Sequence, residues 1–302
     1  MKALVVTNCA TAAYTSGLRA LFPDWEVKGA NLDVAQQWLK EPNEAFRTFL
    51  LQSNLLLLGS ENESTFAGLA SGKDVLSIPY FYFRGFHPDC FHLGVGDGTV
   101  PSVLQTGNLH SRLAVAAFIL GLTQEETAAA FNGGVYEHIG YFSVFDSETR
   151  NLMDRFAALG IDLAPAFERW RAAGDFLYTY NHPKAFVFND ILLAALTGRL
   201  LDGSRREAAR ATLASVPDYL EPSIRWPVYP EIAARHGMEA EFVWRTGVNA
   251  GPISMALDEF IARTFECLRS RSGVGADCVP AFDQCRAALL DIESPRGLQA
   301  AP

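Results

Sequence analysis

Apolar residues in the first hundred positions fall in short dense runs, separated by stretches of helical spacing. Lys2 to Thr7 is β-branched and apolar, Asn8 to Thr11 is short and polar, and Ala12 to Leu21 repeats with helical period. This order predicts a strand, a tight loop and a helix. Trp25 to Gly29 predicts a second extended piece, followed by helices over Asp33 to Leu39 and Glu44 to Leu51. Leu55 to Leu58 predicts a buried strand ending at Gly59-Ser60-Glu61-Asn62. Asp74 to Ile78 predicts another, running through aromatic residues into Arg84-Gly85-Phe86-His87-Pro88-Asp89. Strands alternating with helices imply a short, mainly parallel sheet, whose ligand loops follow the carboxyl ends of its strands. Three polar loops fall at those ends: Asn8-Cys9, Ser60-Glu61-Asn62 and the segment Arg84 to Asp89.

Beyond a Gly-rich patch at Gly94 to Gly98 and Pro101, the pattern lengthens into helices over Leu109 to Leu122, Gln124 to Phe131 and Ser147 to Leu159. Helical spacing continues at Ala164 to Ala172, Lys184 to Leu201, Arg205 to Ala214, Pro230 to His236 and Ile253 to Leu268, with an extended stretch at Phe176 to Tyr180. The fold class is therefore an α/β N-terminal part followed by a mainly helical C-terminal part. The change of pattern sets a domain boundary near residue 105, giving domains 1–105 and 106–302, with ligand expected in a cleft between them. The tail from Gly297 to Pro302 is expected to fray.

Composition narrows the classes of function. The 302 residues carry a formal charge of −9, with a pI of about 5.2, so no global positive field draws nucleic acid or an anionic membrane. Local Arg and Lys clusters still allow a small anionic ligand. Thr7 and Asn8 interrupt the first apolar run before it resembles a signal-peptide core, and no apolar run reaches the roughly 18 to 20 residues of a membrane span. Five cysteines, at 9, 90, 267, 278 and 285, show no CxxC pair, which suits reduced thiols in the cytoplasm and gives no metal-site spacing.

Candidate chemistry centres on Cys9. Between a strand and a helix, exposed backbone amides and the positive helix end favour a thiolate nucleophile or an anion-binding turn; a small cysteine packed under the sheet has the same sequence. His87, with Asp89 two residues on and Arg84 three before, offers a general base, an orienting carboxylate and an anion ligand, or simply a capped turn. Asn181-His182-Pro183-Lys184 combines polar ligands and a cation, or caps the next helix. Ser60, Arg205 and Arg206 complete the candidate ligand-binding residues, with Lys73 a weaker candidate. Tyr136-Glu137-His138 ranks below His87, because neighbours on a helix point to different faces. The signatures GxxxxGK[ST], GxGxxG after a strand, HExxH and GxSxG are absent from the sequence.

The order of Asn8-Cys9, then Pro79-Tyr80-Phe81 leading to Phe86-His87-Pro88-Asp89, then Asn181-His182-Pro183 resembles the WcbI family of capsular-polysaccharide biosynthesis enzymes. Ala10 stands where that family often has Gln. The resemblance implies coenzyme A as acyl donor, a sugar or polysaccharide acceptor, an unusual two-part topology, and association with other capsule enzymes. It also implies that Cys9 and His87 line the site. The activity to expect is acetyl transfer to a sugar hydroxyl. His87 would act as base, Asp89 or another carboxylate would orient it, and amides near Asn8 and Cys9 would stabilise the oxyanion. In a variant of this mechanism, Cys9 carries the acetyl group. A carbohydrate esterase and a non-catalytic CoA or sugar-nucleotide scaffold are the alternatives.

Overall fold

The computed structural model describes residues 1–41, 43–96, 98–104, 108–247, 251 and 253–293. The boundary expected near residue 105 and the tail 297–302 lie outside them. The chain forms two compact units, each assembled from separate stretches. The first comprises Met1–Tyr82, Arg150–Phe176 and His182–Glu221; the second comprises Phe83–Thr149, Leu177–Asn181 and Pro222–Pro302.

The first unit is built on a four-stranded parallel sheet of β1 (Lys2–Thr7), β2 (Glu26–Asn31), β3 (Leu55–Gly59) and β4 (Asp74–Ile78), in the order β2-β1-β3-β4. Both central strands are almost wholly apolar because both faces of the sheet are covered. Leu4, Val6, Leu56 and Leu58 pack with residues of α2 (Leu32–Lys40), α3 (Glu44–Gln52) and α4 (Glu63–Phe66). The opposite face carries α1 (Thr11–Leu21): a side chain at Gly29 of β2 would lie 2.3 Å from Thr15 Oγ1. Glycine is required there for the helix to approach the strand.

Helices later in the chain complete this unit. They are the C-terminal part of α8, from Arg150, then α9 (Ala164–Ala172), α10 (Ala185–Leu196) and α11 (Arg206–Leu213); α8 as a whole spans Val144–Ala157. Gly17 lets α1 seat closely, since a Cβ there would meet Leu192 at 2.5 Å and Leu213 at 3.2 Å. Asp190 of α10 is buried and accepts from Arg169, Trp170 and Arg210, tying α9, α10 and α11 together. Removing it would leave three donors short of their acceptor.

In the second unit β5 (Cys90–His92) pairs antiparallel with β8 (Leu109–Ser111), and β6 (Gly94–Val95) pairs with β7 (Gly98–Thr99). Then follow α5 (Arg112–Leu120), α6 (Gln124–Ala129) and α7 (Gly133–His138). Besides β9 (Leu177–Thr179), the unit contains α12 (Pro230–Arg235), the antiparallel pair β11 (Trp244–Arg245) and β12 (Ser254–Met255), α13 (Leu257–Arg269) and α14 (Phe282–Glu293). In the first unit, β10 is the short pair His182–Pro183. Trp244 stacks on Phe260 with ring centroids 4.1 Å apart, and Phe131, Trp226 and Tyr229 surround them.

Local chemistry moves several predicted boundaries. The stretch Leu109 to Leu122 opens as strand β8, because Ser111 caps α5 by accepting from the Ala114 amide at 3.0 Å. Ile253 to Leu268 likewise begins with β12, and its helix starts at Leu257. Lys184 stands at the N-cap of α10, so that helix runs from Ala185 to Leu196. Among the described residues, no helix is long and apolar enough to cross a membrane.

Candidate active site

Cys9 occupies the turn between β1 and α1, at the carboxyl end of a central strand. Asn8 shapes that turn: its carbonyl accepts from the Thr11 amide at 3.1 Å and the Thr11 hydroxyl at 2.8 Å, while its side chain accepts from the Ala10 amide at 3.2 Å. Asn8 is therefore a local scaffold for the turn. Sequence alone favours a thiolate at this helix start, but Ala10 provides no side-chain cap and Cys9 is only partly exposed. Burial pushes the Cys9 thiol up to about 11, outweighing the hydrogen bond from its own backbone. At neutral pH the group is a thiol.

Tyr80, two residues beyond β4, belongs to the same edge. Its ring lies against Gly59 at the end of β3, where a Cβ would come within 2.2 Å of it. The Tyr80 amide donates to both carboxylate oxygens of Glu61, at 3.1 and 3.2 Å, and its hydroxyl accepts from the Asn62 side chain. Arg155 donates to the carbonyls of Tyr80 and Tyr82 at 2.7 and 3.1 Å, holding the extended segment that follows the strand. Burial, then the charges of Glu61 and Asp33, push the Tyr80 hydroxyl up to about 12; Cys9 lies within its electrostatic reach. A neutral thiol and a neutral phenol thus share the carboxyl edge of the sheet. Ser60 turns its hydroxyl to Glu61 at 3.1 Å. Sequence reading used Tyr80 only as a landmark; its position just past a buried strand was the available signal.

Of the remaining candidates of the first unit, Lys184 and Lys73 have structural partners. Lys184 donates to the Asp175 carbonyl and lies 3.7 Å from its carboxylate. Lys73 donates to the carbonyls of Leu51 and Ser53 at 2.8 and 2.9 Å, satisfying the end of α3. His182 and Arg206 are half-buried and Arg205 is exposed.

Arg84, His87, Asp89 and Asn181 belong to the second unit. His87 is buried, and its amide donates to the Arg84 carbonyl at 2.9 Å. The Asp89 carboxylate is fully enclosed and accepts from the Leu113 amide at 2.9 Å, the Tyr141 hydroxyl at 2.6 Å and the Tyr229 hydroxyl at 2.5 Å. It holds the start of α5 and two core tyrosines. The Arg84 guanidinium sits 5.2 Å from the centre of the Tyr180 ring, and the edge of His92 meets the same ring at 5.7 Å. Asn181 accepts from the Thr179 hydroxyl at 2.9 Å. Arg84 and His92 thus both meet the Tyr180 ring, next in sequence to Asn181. Tyr136 is buried in the core, and Glu137 pairs with Arg235 at 2.8 Å. Among the described residues, no group of three or more His, Cys, Asp and Glu could hold a metal ion.

A family model described as the polysaccharide biosynthesis enzyme WcbI matches residues 2–199. A solved structure of WcbI is described as the native form of a novel polysaccharide biosynthesis enzyme without a disulfide bond between coenzyme A and one of its cysteines. It matches with a TM-score of 0.66 at 15% identity, over 96% of this chain and 98% of that one. At that identity the likeness is one of fold. No curated protein matches the chain.

Proposed function

The chain belongs to the WcbI family of polysaccharide biosynthesis enzymes, and from that premise we propose that it is a coenzyme A-binding O-acetyltransferase. It moves the acetyl group of acetyl-CoA to a sugar hydroxyl during capsular polysaccharide synthesis in the cytoplasm. The observation that carries this reading is the Cys9 turn. The WcbI structure is described by reference to coenzyme A and a cysteine. Cys9 is the cysteine that this chain holds at the carboxyl edge of a parallel sheet, where open α/β folds receive ligands.

The protonation state favours direct transfer. A thiol pushed up to about 11 is a poor nucleophile at neutral pH. The thioester is already activated, so the sugar hydroxyl attacks it directly while His87 takes the proton; collapse of the intermediate then breaks the C–S bond, and His87 returns that proton to the departing CoA thiolate. The tetrahedral oxyanion is received at the Cys9 amide, which exchanges its contact with its own sulfur for the oxyanion, since Asn8 already engages the amides of Ala10 and Thr11. Asp89 acts from behind His87 by fixing the segment that carries it. Arg84 and Asn181 meet polar ends of the substrates.

Calorimetry and thermal melting with CoA, followed by mass analysis of acetylated oligosaccharide, test the reading. At a hundred times its dissociation constant CoA adds about 2.7 kcal/mol of stability, which raises the melting temperature. His87→Ala is expected to keep CoA binding and lose roughly 10²- to 10⁴-fold in transfer rate. Absence of any CoA binding at millimolar concentration, or release of free acetate from polysaccharide without CoA, would defeat it.

A further inference from the structure

A cavity of about 330 Å³ opens at the outer edge of the sheet in the first unit, separate from the Cys9 turn along the strands. Its walls come from β2 and from the two helices that follow. Trp38 and Phe46 present aromatic rings 5.2 Å apart, Phe49 adds a third, and Arg19 and Lys28 stand at the rim. The space matches the lower end of small-ligand pockets and accepts one planar ring system with its sugar.

Backbone geometry adds a hydrogen-bonding wall. β2 is the outermost strand of the sheet. The Glu26 amide donates inward to the Met1 carbonyl at 3.0 Å, whereas the Val27 carbonyl accepts from Arg19, at 3.0 Å from Nε and 2.6 Å from Nη2. Peptide groups of a strand alternate in direction, so Gly29, two residues beyond Val27, turns both its amide and its carbonyl to the open edge. One donor beside one acceptor, next to aromatic walls, is what the hydrogen-bonding edge of adenine requires.

Charge sets the rest of the ligand. Lys28 lies 4.4 Å from the centre of the Phe49 ring and 3.6 Å from Glu26, which also meets Lys2 at 3.2 Å. Two lysines thus meet one carboxylate, and Arg19, which also lines the cavity, adds a further cation, leaving a positive rim suited to phosphate. Asn43 has its side-chain oxygen committed to the Phe46 amide at 2.9 Å.

We propose that this cavity binds a phosphorylated adenosine: the base against Trp38 and Phe46 and on the Gly29 peptide edge, the phosphate on Lys28 and Arg19. The source that fits the acetyltransferase reading, on which this assignment rests, is the adenosine 3′-phosphate end of coenzyme A.

The test is calorimetry on the full chain with CoA, with adenosine 3′,5′-bisphosphate and with UDP-glucose. Wild type binds the first two, while Lys28→Ala and Trp38→Ala each weaken both by about tenfold or more, the loss expected of one charge-assisted or stacking contact. Lys28→Ala alters an exposed side chain, so it reads the site even if Trp38→Ala disturbs packing, and circular dichroism checks both folds. Wild type binding CoA while both variants retain full affinity overturns this assignment and leaves the acetyltransferase reading standing. Wild type binding adenosine 3′,5′-bisphosphate but not CoA keeps the site, names a free nucleotide as its ligand, and removes the acetyltransferase. UDP-glucose displacing adenosine 3′,5′-bisphosphate from the site, or wild type failing to bind the bisphosphate, overturns the adenosine assignment.

Discussion

Asn62 donates its side-chain amide to the hydroxyl of Tyr80, joining the loop after β3 to the segment after β4 beside the Cys9 turn. Because the Tyr80 oxygen accepts from Asn62, its own proton is directed to another acceptor. In the proposed reaction that acceptor is the thioester or sugar oxygen. Tyr80→Phe is expected to keep the melting temperature within a few degrees and CoA affinity within a few-fold. Transfer rate is expected to fall on the order of 10²-fold, as for the loss of one preorganised donor. Asn62→Ala should produce a smaller loss, and the double variant should be no worse than Tyr80→Phe alone. Additive losses in steady-state kinetics would separate the two residues.

Asp89 has a different kind of partner set, and its removal is predicted to act first on stability. Its two oxygens satisfy one buried amide and two buried hydroxyls, from Leu113, Tyr141 and Tyr229. Asp89→Ala strands all three donors and should cost about 3–5 kcal/mol in urea unfolding. Tyr141→Phe removes a single charge-assisted bond and should cost about 1.5–3 kcal/mol. A loss below that of Tyr141→Phe in the Asp89 variant would show that the carboxylate does not organise this core.

These two examples separate what the chain discloses locally from what folding adds. The parallel sheet was legible because Leu55–Gly59 is apolar at every position, as a strand covered on both faces must be. The Cys9 turn was legible for the same reason: a polar break follows a dense apolar run. Leu109–Ser111 was not, because Leu-His-Ser is short and leads straight into the apolar α5, so the sequence looks the same whether it extends as a strand or continues that helix. Asp89 read as a catalytic carboxylate, since its partners Tyr141 and Tyr229 lie 52 and 140 positions away. Lys73 and Lys184 read as ligand cations for a similar reason; each is drawn to backbone carbonyls at a helix end or turn.

His110 makes stability depend on acid pH. It is buried on β8, with Nε2 2.9 Å from the Val100 carbonyl, so the neutral ring donates there. Burial lowers its pKa from 6.5 to about 4, the Val100 bond opposing and nearby His92 assisting the shift. Above pH 6.5 the ring is neutral in both states and the stability is fully present. Between 6.5 and 4 the unfolded chain takes up a proton that the folded chain refuses, so stability falls as pH falls. The shift corresponds to roughly 3 kcal/mol. Urea unfolding at pH 7 and pH 4.5 should show this loss in wild type and a smaller one in His110→Gln, which keeps an amide donor for Val100. Equal losses would assign the acid sensitivity to other groups.

The state of Cys9 separates direct transfer from a covalent acetyl-enzyme. With the thiol pushed up to about 11 by burial, less than a thousandth of it is ionised at pH 7.5. Thiolate is the species that reacts with iodoacetamide, so alkylation of folded protein at Cys9 should be slow at pH 7.5 and rise about tenfold per pH unit up to about 11. Peptide mapping distinguishes Cys9 from Cys267 and Cys278, which are also partly exposed. Wild type incubated with acetyl-CoA alone should then show no acetyl group on Cys9, and Cys9→Ala should retain substantial turnover, because the backbone amides of the turn remain. Rapid alkylation at neutral pH, a stable acetyl adduct on Cys9 and abolished turnover in Cys9→Ala would together establish the covalent route. In that case CoA binding must lower the thiol's pKa by several units. Repeating the alkylation profile in saturating desulfo-CoA, which fills the site without supplying a thioester, would then show the midpoint moving toward neutrality.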